Sequence, residues 1–267
     1  MSGGCLEVGG RHLAYDDCGQ GRALLLIHGF PLCRRMWLPQ LQPVAEAGFR
    51  VIAPDLRGFG ESEPSAPPCS LEDYADDLVA LLDHLGIERA VVAGMSMGGY
   101  ILLNLLDRHP GRVSAAAFLF TRAGADDEAG KARRSQLAGE VAAGNRQALE
   151  DAFGPILFAE PTRERKPELV REVGGWIRQA STDGVVGALM AMRDRKDYTQ
   201  TLGNIAVPCL VAGAELDRAV PPQNAAILAE GLADATSCLI PEAGHMANME
   251  QPDLLNSHLL DFLRRLS

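Results

Sequence analysis

The sequence predicts an α/β fold, with a mostly parallel sheet of about eight strands flanked by helices and a helical cap inserted after the sixth strand. Short apolar runs rich in β-branched residues alternate with segments whose apolar residues recur at helical spacing. This alternation is typical of parallel sheets joined by right-handed crossovers. From Arg122 to about Thr201, helix-forming segments follow one another without a strand between them, which predicts the cap. We therefore expect a core domain from residues 1–121 and 202–267, with residues 122–201 as the cap.

The first half of the chain predicts a sheet edge followed by buried strands. Residues 6–15 alternate around a Gly-Gly turn, as an antiparallel hairpin does. Ala23–Ile27 is continuously apolar, which indicates a strand buried on both faces of a parallel sheet. Ser70 is suited to cap a helix over 74–85, with Asp73 near the capping-box position. Further elements are expected in a helix over 35–47 and in strands over 50–53, 90–93 and 112–120.

The second half predicts the cap and then a return to the sheet. Cap helices are expected near residues 127–143, 146–153, 167–179 and 183–193. After the cap we expect a strand over 205–213, a helix from Pro221-Pro222 to about Leu232, a strand over 236–240 and a closing helix over 252–266.

The composition allows one large α/β domain or two small ones and narrows the classes of function. Hydrophobic residues make up 47% of the 267 residues, enough for a sizeable core. The net charge is −10 and no basic run is present, so nucleic acid is not an expected partner. No signal-peptide pattern or membrane-length apolar run occurs, which favours a cytoplasmic protein without a membrane partner. The six cysteines are scattered without a C-x-x-C pair, as expected for reduced thiols.

A serine between two glycines marks the most informative stretch of the chain. Gly94-x-Ser96-x-Gly98 stands between an apolar strand and the helix-compatible segment 100–106. Such a sequence fits a strained strand-to-helix turn, in which side chains at the two glycine positions would clash with neighbouring backbone. The turn presents the Ser96 hydroxyl at a helix N-terminus, where a developing anion is favoured. Ser96 is therefore the candidate nucleophile.

Residues that follow the other predicted strands supply the partners that a serine nucleophile needs. In open α/β sheets, functional sites collect at the carboxyl ends of the strands. A serine hydroxyl requires a base, and the base requires an orienting carboxylate. His245, in a Gly-His loop after the last strand, is the candidate base, and Asp217, after strand 205–213, is the candidate acid. The order serine, acid, histidine is the one expected with this serine turn.

Other residues of the same types have weaker contexts. Glu215 is the nearest rival for the role of the acid. Asp55 also ends a strand, but we expect it to shape a loop by pairing with backbone donors or with Arg57. His28 follows a strand, although its Gly-Phe context indicates loop architecture. Cys33 lies near that loop and is expected to be a bystander, because the serine has the better context.

Acyl transfer also requires hydrogen-bond donors for an oxyanion. The backbone N–H of Met97, at the helix N-terminus, is one candidate, and that of Phe30, in the loop after Ala23–Ile27, is the other. The candidates for an apolar acyl pocket are Trp37, Phe30, Met95, Met97, Met246, Phe153, Trp176 and Met190. For the residues of the cap, packing within the cap is the simpler interpretation. Tyr100 is expected in the core, and Arg122 is left open between a contact with a substrate carboxylate and a surface position.

Taken together, several segments resemble the α/β-hydrolase family, most of all its compact esterase and enol-lactonase branch, which also includes cofactor-free perhydrolases. These segments are His28–Pro31, Pro54–Ser62, Gly94–Gly99, Asp217 with Val220–Pro222, and Gly244–Pro252. The resemblance covers the chain from about Leu6 onwards, and the helical insertion is similar to that family's variable cap. Thr121 stands where some relatives carry an acid, which favours Asp217 as the acid of the triad.

The resemblance implies a serine hydrolase that cleaves small carboxylic esters or lactones through an acyl-enzyme on Ser96. It implies no metal and no organic cofactor, and it leaves the number of subunits open. Perhydrolysis or acyl transfer by the same triad is an alternative. A non-catalytic ligand-binding protein on the same fold is another. The presence of Ser96, Asp217 and His245 together argues against a binding protein, which has no need for all three.

Overall fold

The computed structural model describes residues 2–64 and 68–266, and its strands form one sheet. The strands are β1 (Ser2–Val8), β2 (Arg11–Gly19), β3 (Arg22–Ile27), β4 (Phe49–Pro54), β5 (Ala90–Met95), β6 (Val113–Leu119), β7 (Cys209–Ala214) and β8 (Ala235–Ile240). Their order across the sheet is β1-β2-β4-β3-β5-β6-β7-β8. The pairs β1–β2 and β2–β4 are antiparallel, and the pairs from β4 to β8 are parallel. The predicted eight-stranded, mostly parallel sheet with a hairpin at its edge is confirmed.

Helices cover the sheet and form the insertion between β6 and β7. They are α1 (Leu38–Glu46), α2 (Leu71–His84), α3 (Met97–Arg108), α4 (Glu128–Ala142), α5 (Gln147–Leu157), α6 (Glu160–Arg165), α7 (Pro167–Gln179), α8 (Thr182–Arg193), α9 (Gln223–Gly231), α10 (Ala247–Glu250) and α11 (Pro252–Arg265). Short 3-10 turns cover Arg34–Trp37, Pro110–Arg112 and Thr199–Asn204. No helix among the described residues is both long enough and apolar enough to cross a membrane.

The central strands are buried because helices cover both faces of the parallel part of the sheet. Every residue of β5 is buried, as are Leu24–Ile27 of β3. This burial explains why both strands are continuously apolar in sequence, with no polar alternation. The carboxyl ends of β3, β5, β6, β7 and β8 lie on one edge of the sheet. The residues that follow these strands are therefore brought together.

The start of α2 shows how a local sequence signal fixes an element. The Ser70 Oγ accepts a hydrogen bond from the backbone N–H of Asp73, and the Asp73 carboxylate accepts one from the backbone N–H of Ser70. This reciprocal pair satisfies two donors that the first turn of a helix leaves free. The predicted capping box is present, and the helix begins at Leu71, directly after the predicted N-cap Ser70.

The five helices α4–α8 lie between β6 and β7, and α4 packs along α8. A close glycine contact attaches this helical insertion to the core. The backbone N–H and the hydroxyl of Ser181 both donate to the carbonyl oxygen of Gly58, at 3.2 Å and 3.0 Å. A Cβ atom at Gly184 would lie 2.4 Å from that same oxygen. Only a residue without a side chain allows the first turn of α8 to approach the loop after β4 this closely.

Candidate active site

Ser96 stands on a strained turn between β5 and α3, with φ of 53° and ψ of −114°. A Cβ atom at Gly94 would lie 2.2 Å from the carbonyl oxygen of Gly98, and one at Gly98 would lie 2.3 Å from that of Ile27. Both glycines are therefore required by close approaches of backbone. A non-glycine residue with such backbone angles stores strain, and strain of this kind is concentrated at functional sites.

The backbone on both sides of Ser96 is fixed by hydrogen bonds. Its N–H donates to the carbonyl oxygen of Leu119 at 3.0 Å, and its own carbonyl oxygen accepts from the Thr121 hydroxyl at 2.7 Å. A Cβ atom at Gly99 would lie 2.3 Å from the Thr121 Oγ1, so this hydroxyl also packs against the first turn of α3. The residues after β6 thereby support the serine turn and help to fix the position of the Ser96 hydroxyl.

His245 and Asp217 form a buried pair. The Nδ1 of His245 lies 2.7 Å from Oδ2 of Asp217. The other carboxylate oxygen, Oδ1, accepts from the backbone N–H groups of Ala219 and Val220, each at 2.8 Å. Because an ionised carboxylate can only accept, Nδ1 carries the proton and donates it to Asp217. The unprotonated Nε2 is then free to accept a proton, as a base would. The rival Glu215 is exposed, and its Oε2 accepts from the backbone of Glu242.

Ser96 and His245 line the same cavity, whose volume is about 610 Å³. Helices α4, α5 and α8 of the helical insertion supply much of its wall. Phe30 and Phe153 meet edge to face at the cavity, with ring centroids 5.2 Å apart. Ser96 has a partly accessible surface, whereas His245 is 2% exposed. The arrangement places a strained serine and an oriented imidazole at a concave site of the size that small molecules occupy.

The two candidate oxyanion donors both lie near the serine. Met97 is the first residue of α3, so its N–H has no acceptor four residues earlier within the helix. Phe30 lines the cavity, and a Cβ atom at the preceding Gly29 would lie 3.2 Å from Cβ of Ser96. The loop after β3 therefore packs directly against the serine turn.

The histidine that follows β3 has a structural role. His28 is fully buried, and its Nε2 accepts from the backbone N–H of Leu56 at 2.9 Å. Its Nδ1 lies 2.9 Å from the carbonyl oxygen of Gly29, so Nδ1 carries the proton. Burial lowers the pKa of His28, which keeps the ring neutral. His28 thus joins the loops after β3 and β4.

Asp55 shapes the neighbouring loop with a partner different from the one considered in the sequence. Its carboxylate accepts from the backbone N–H groups of Arg34 and Glu61 and pairs with the Arg34 guanidinium. Arg57 instead donates its Nε–H to Asp77 at 2.6 Å. The expected pairing with backbone donors is present, and the alternative pairing with Arg57 is wrong, since that side chain is directed to α2.

Cys33 does not compete with the serine. Burial raises the pKa of the Cys33 thiol to about 12, so the protonated form is present at neutral pH. A thiol is a much weaker nucleophile than a thiolate.

The loop that carries His245 is held by a buried glutamate that the sequence reasoning did not single out. Glu250 accepts from the backbone N–H of Gly244 through Oε1 and from that of Ala159 through Oε2, each at 2.9 Å. Burial raises the pKa of Glu250 and outweighs the opposing effect of these bonds. The position of Glu250 in Gly244–Pro252, the segment that carries the histidine, was the available signal.

Of the eight residues expected in the acyl pocket, Phe30 and Phe153 line the cavity. The other six do not: Trp37, Met95, Met97, Met246, Trp176 and Met190. Trp37, Met95 and Met246 are each fully buried and belong to the hydrophobic core. Met95 ends a strand that is covered on both faces, so its side chain packs inside the core. The cavity is lined instead by Tyr100 and Arg122, among others, and Tyr100 was expected only in the core. No group of three or more metal-ligating side chains occurs in residues 2–64 and 68–266.

Comparison with known proteins supplies the family context. Residues 22–252 match the family model of the alpha/beta hydrolase fold. The chain is 36% identical over 267 residues to the dihydrolipoyllysine-residue acetyltransferase component of the acetoin cleaving system of Pseudomonas putida, a match that covers 97% of this chain and 68% of that protein.

Two solved structures share almost the whole architecture. A thermophilic esterase from Thermogutta terrifontis, solved with malate bound, superposes with a TM-score of 0.95 at 33% identity, covering 100% of this chain and 99% of that one. The enol-lactonase from Burkholderia xenovorans LB400 superposes with a TM-score of 0.91 at 28% identity, covering 98% of this chain and 100% of that one.

Proposed function

Because the chain belongs to the alpha/beta hydrolase fold family, we propose that it is a serine hydrolase that cleaves small carboxylic esters or lactones. The observation that carries the proposal is the pair formed by His245 and Asp217 at the cavity that Ser96 lines. A strained serine, an oriented imidazole and a buried carboxylate in the order of this family are the parts that acyl transfer requires. The resemblance to an esterase and an enol-lactonase supports this substrate class.

In the proposed reaction, Nε2 of His245 takes the hydroxyl proton of Ser96 as Oγ attacks the ester carbonyl carbon. The backbone N–H groups of Phe30 and Met97 donate to the oxyanion of the tetrahedral intermediate. His245 then gives its proton to the leaving alcohol, and an acyl-enzyme remains on Ser96. Water then attacks the acyl carbon while His245 accepts a proton from it. The bond between the acyl carbon and Oγ breaks, the carboxylic acid leaves, and His245 returns the proton to Ser96. Asp217 stabilises the imidazolium in both half-reactions.

The proposal is tested with a fluorophosphonate probe and a panel of p-nitrophenyl esters and lactones. We expect one adduct, on Ser96, located by peptide mass spectrometry. The Ser96→Ala variant should lose both the adduct and the turnover, while Ser237→Ala, on the exposed edge strand β8, keeps both. An unlabelled Ser96 in a folded protein, or undiminished turnover in Ser96→Ala, refutes the proposal and favours a ligand-binding protein. Turnover of lactones alone narrows it to a lactonase.

The same panel, run with hydrogen peroxide present, tests perhydrolysis. Peroxide replaces water as the acyl acceptor in that reaction, so the product is a peracid instead of an acid. Peracid formation faster than the uncatalysed reaction would show that the protein catalyses perhydrolysis as well as hydrolysis.

A further inference from the structure

Three arginines surround one buried carboxylate beside the catalytic cavity. Asp126, whose side chain is 4% exposed, accepts from Arg122 and Arg195 through Oδ1 and from Arg134 through Oδ2. Burial alone would raise the pKa of Asp126, but the hydrogen bonds from Arg195 and Arg134 outweigh it and hold the pKa below its usual range. The carboxylate is therefore ionised at neutral pH. One negative and three positive charges leave a local excess of positive charge.

Two of these guanidinium groups lie in the wall of the cavity that contains Ser96. Arg122 and Arg134 line the cavity, whereas Arg195 lies behind it, 4.4 Å above the ring of Tyr100. Arg195 uses its other donors on the carbonyl oxygens of Gly124 and Met192. These hydrogen bonds give Arg195 a structural role. Of the three arginines around Asp126, Arg122 and Arg134 are the two that lie in the cavity wall, and their donors are less fully used.

Arg122 has donors without an acceptor. Its side chain makes one hydrogen bond within the described residues, from a terminal nitrogen to Asp126. Its Nε is buried and has no hydrogen-bond partner there. A buried N–H without an acceptor is unfavourable, and in native proteins it is rare. A guanidinium has five N–H donors in one plane, a geometry that matches the two oxygens of a carboxylate.

Arg122 is connected to the serine turn through the residue before it. It follows Thr121, whose hydroxyl donates to the carbonyl oxygen of Ser96 at 2.7 Å. Phe120, one residue earlier, has a φ of 49°, so the turn that leads from β6 to Arg122 is strained. Strain at a non-glycine residue beside a cavity is expected where the position of the following side chain matters.

The acidic residues of the cavity do not cancel this positive wall. Apart from Asp126, they are Glu140 and Asp151, on α4 and α5. The Glu140 carboxylate accepts from the side-chain amide of Gln136, and the exposed Asp151 accepts from that of Gln147. Asp151 is exposed and Glu140 is partly exposed, so water and salt screen both of these already hydrogen-bonded carboxylates. The positive charge beside Arg122 is therefore the stronger electrostatic feature that a bound molecule meets.

We propose that Arg122, assisted by Arg134, binds a carboxylate of the substrate, so that the preferred substrates are esters or lactones that carry a second, ionised carboxylate. The inference rests on the proposed function, because it specifies the substrate of the same cavity. A purely structural role for the cluster, as a clamp between β6, α4 and the segment after α8, is the competing explanation. The clamp predicts that loss of Arg122 affects every substrate equally.

The test compares monomethyl glutarate with methyl 5-methylhexanoate, in which an uncharged isopropyl group replaces the carboxylate. We expect the wild-type protein to have a kcat/KM at least about tenfold higher for the charged ester. Arg122→Gln should raise the KM for monomethyl glutarate about 10- to 100-fold and the KM for the neutral ester by a much smaller factor. Arg122→Lys should restore part of the difference, and added salt should reduce it.

Arg171→Gln is the matched control, since Arg171 is exposed on α7 and does not line the cavity. It should leave the ratio of the two KM values unchanged. A wild-type preference for the neutral ester, or an equal loss for both esters in Arg122→Gln, overturns the carboxylate site. Thermal unfolding of each variant tests the structural role. If the cluster only stabilises the fold, Arg122→Lys should recover the thermal stability without recovering the preference for the charged ester.

Calorimetric binding of monomethyl glutarate to Ser96→Ala separates this inference from the proposed hydrolysis. Binding that weakens at least about tenfold when Arg122→Gln is added supports the carboxylate site even if the wild-type protein hydrolyses no ester. Hydrolysis of neutral esters without such binding leaves the proposed function standing and refutes the site.

Discussion

The backbone N–H of Met246 donates to the carbonyl oxygen of Leu157 at 2.9 Å, which joins the loop of the candidate base to the end of α5. Glu250 makes a second connection, because its two oxygens accept from Gly244 in that loop and from Ala159 after α5. The loop that positions the imidazole is therefore held by the helical insertion as well as by the core. We therefore expect a structural change in the helical insertion to alter the position of the His245 imidazole.

Glu250→Gln tests this coupling. An amide offers one acceptor oxygen in place of two, so one of the N–H groups of Gly244 and Ala159 loses its partner and faces the new NH₂ group. We expect the free energy of unfolding to fall by about 1–3 kcal/mol. We also expect kcat to fall about tenfold with little change in KM, since the imidazole and not the cavity is displaced. Denaturant unfolding and steady-state kinetics measure the two effects.

The matched control for that variant is Glu160→Gln. Glu160 is an exposed glutamate directly after Ala159, at the first turn of α6. Its loss should change the free energy of unfolding by less than about 0.5 kcal/mol and leave kcat unchanged. If Glu250→Gln is destabilised but retains full kcat, Glu250 is a structural residue only and the coupling is absent.

Asp217→Asn tests whether Asp217, and not Glu215, is the carboxylate that orients His245. The amide can keep an oxygen on the N–H groups of Ala219 and Val220, but it then presents its NH₂ to His245. The imidazole is forced to accept at Nδ1, which places its proton on the wrong nitrogen for a base. We expect kcat to fall about 10³- to 10⁴-fold with the fold retained. Glu215→Gln is the control and should stay within twofold of wild-type turnover; the reverse result would transfer the role to Glu215.

The convergence of the candidate catalytic side chains was predictable because it follows from two local rules. Parallel strands end at one edge of a sheet, and a glycine-flanked serine after a strand fits only a tight turn. Ser96, Asp217 and His245 each stand directly after or near the end of a strand, so the topology alone brings their backbones together. The steric need for Gly94 and Gly98 is likewise a consequence of that turn.

The lining of the cavity was not predictable in the same way. Whether Met95 faces the core or the cavity depends on how the strand end is rotated, and a hydrophobic residue suits both positions. The cluster around Asp126 joins residues that are distant in the chain, since Arg195 lies 69 positions away. No local periodicity encodes such a contact, so Arg122 was left open in the sequence.

Gly184→Ala tests the glycine contact between α8 and Gly58. The new methyl group would lie 2.4 Å from the Gly58 carbonyl oxygen and 2.6 Å from its Cα, so backbone must move. We expect a loss of about 1–3 kcal/mol in the free energy of unfolding. The paired control is Gly139→Ala in α4, where a Cβ atom meets nothing within 4 Å and alanine is the better helix former. That variant should gain up to about 1 kcal/mol, and equal effects in the two variants would contradict the contact.

The thiol of Cys33 should be inert although it lies near the loops of the candidate active site. Its pKa is raised to about 12 by burial, so at pH 8 the thiolate is a minute fraction. We expect iodoacetamide at pH 8 to label Cys5, which is exposed, and to leave Cys33 unlabelled with activity retained. Peptide mass spectrometry of the same sample reads both sites. Labelling of Cys33 in step with loss of activity would show that this loop opens to solvent.

Asp126→Asn predicts a pH-dependent loss of stability. The pKa of Asp126 is lower in the folded chain than its unfolded value of about 3.9, so the ionised form stabilises the fold. This contribution is fully present above the unfolded pKa and is lost as the pH falls through the folded pKa. Since the variant leaves three guanidinium groups without their carboxylate, we expect the free energy of unfolding to fall by about 3 kcal/mol at pH 7.

This difference in stability between Asp126→Asn and wild type should shrink steadily below about pH 4. Asp253→Asn, at an exposed position in the first turn of α11, should show no such trend. A difference that stays constant from pH 7 to pH 3 would mean that packing, and not the charge of Asp126, holds the three arginines together.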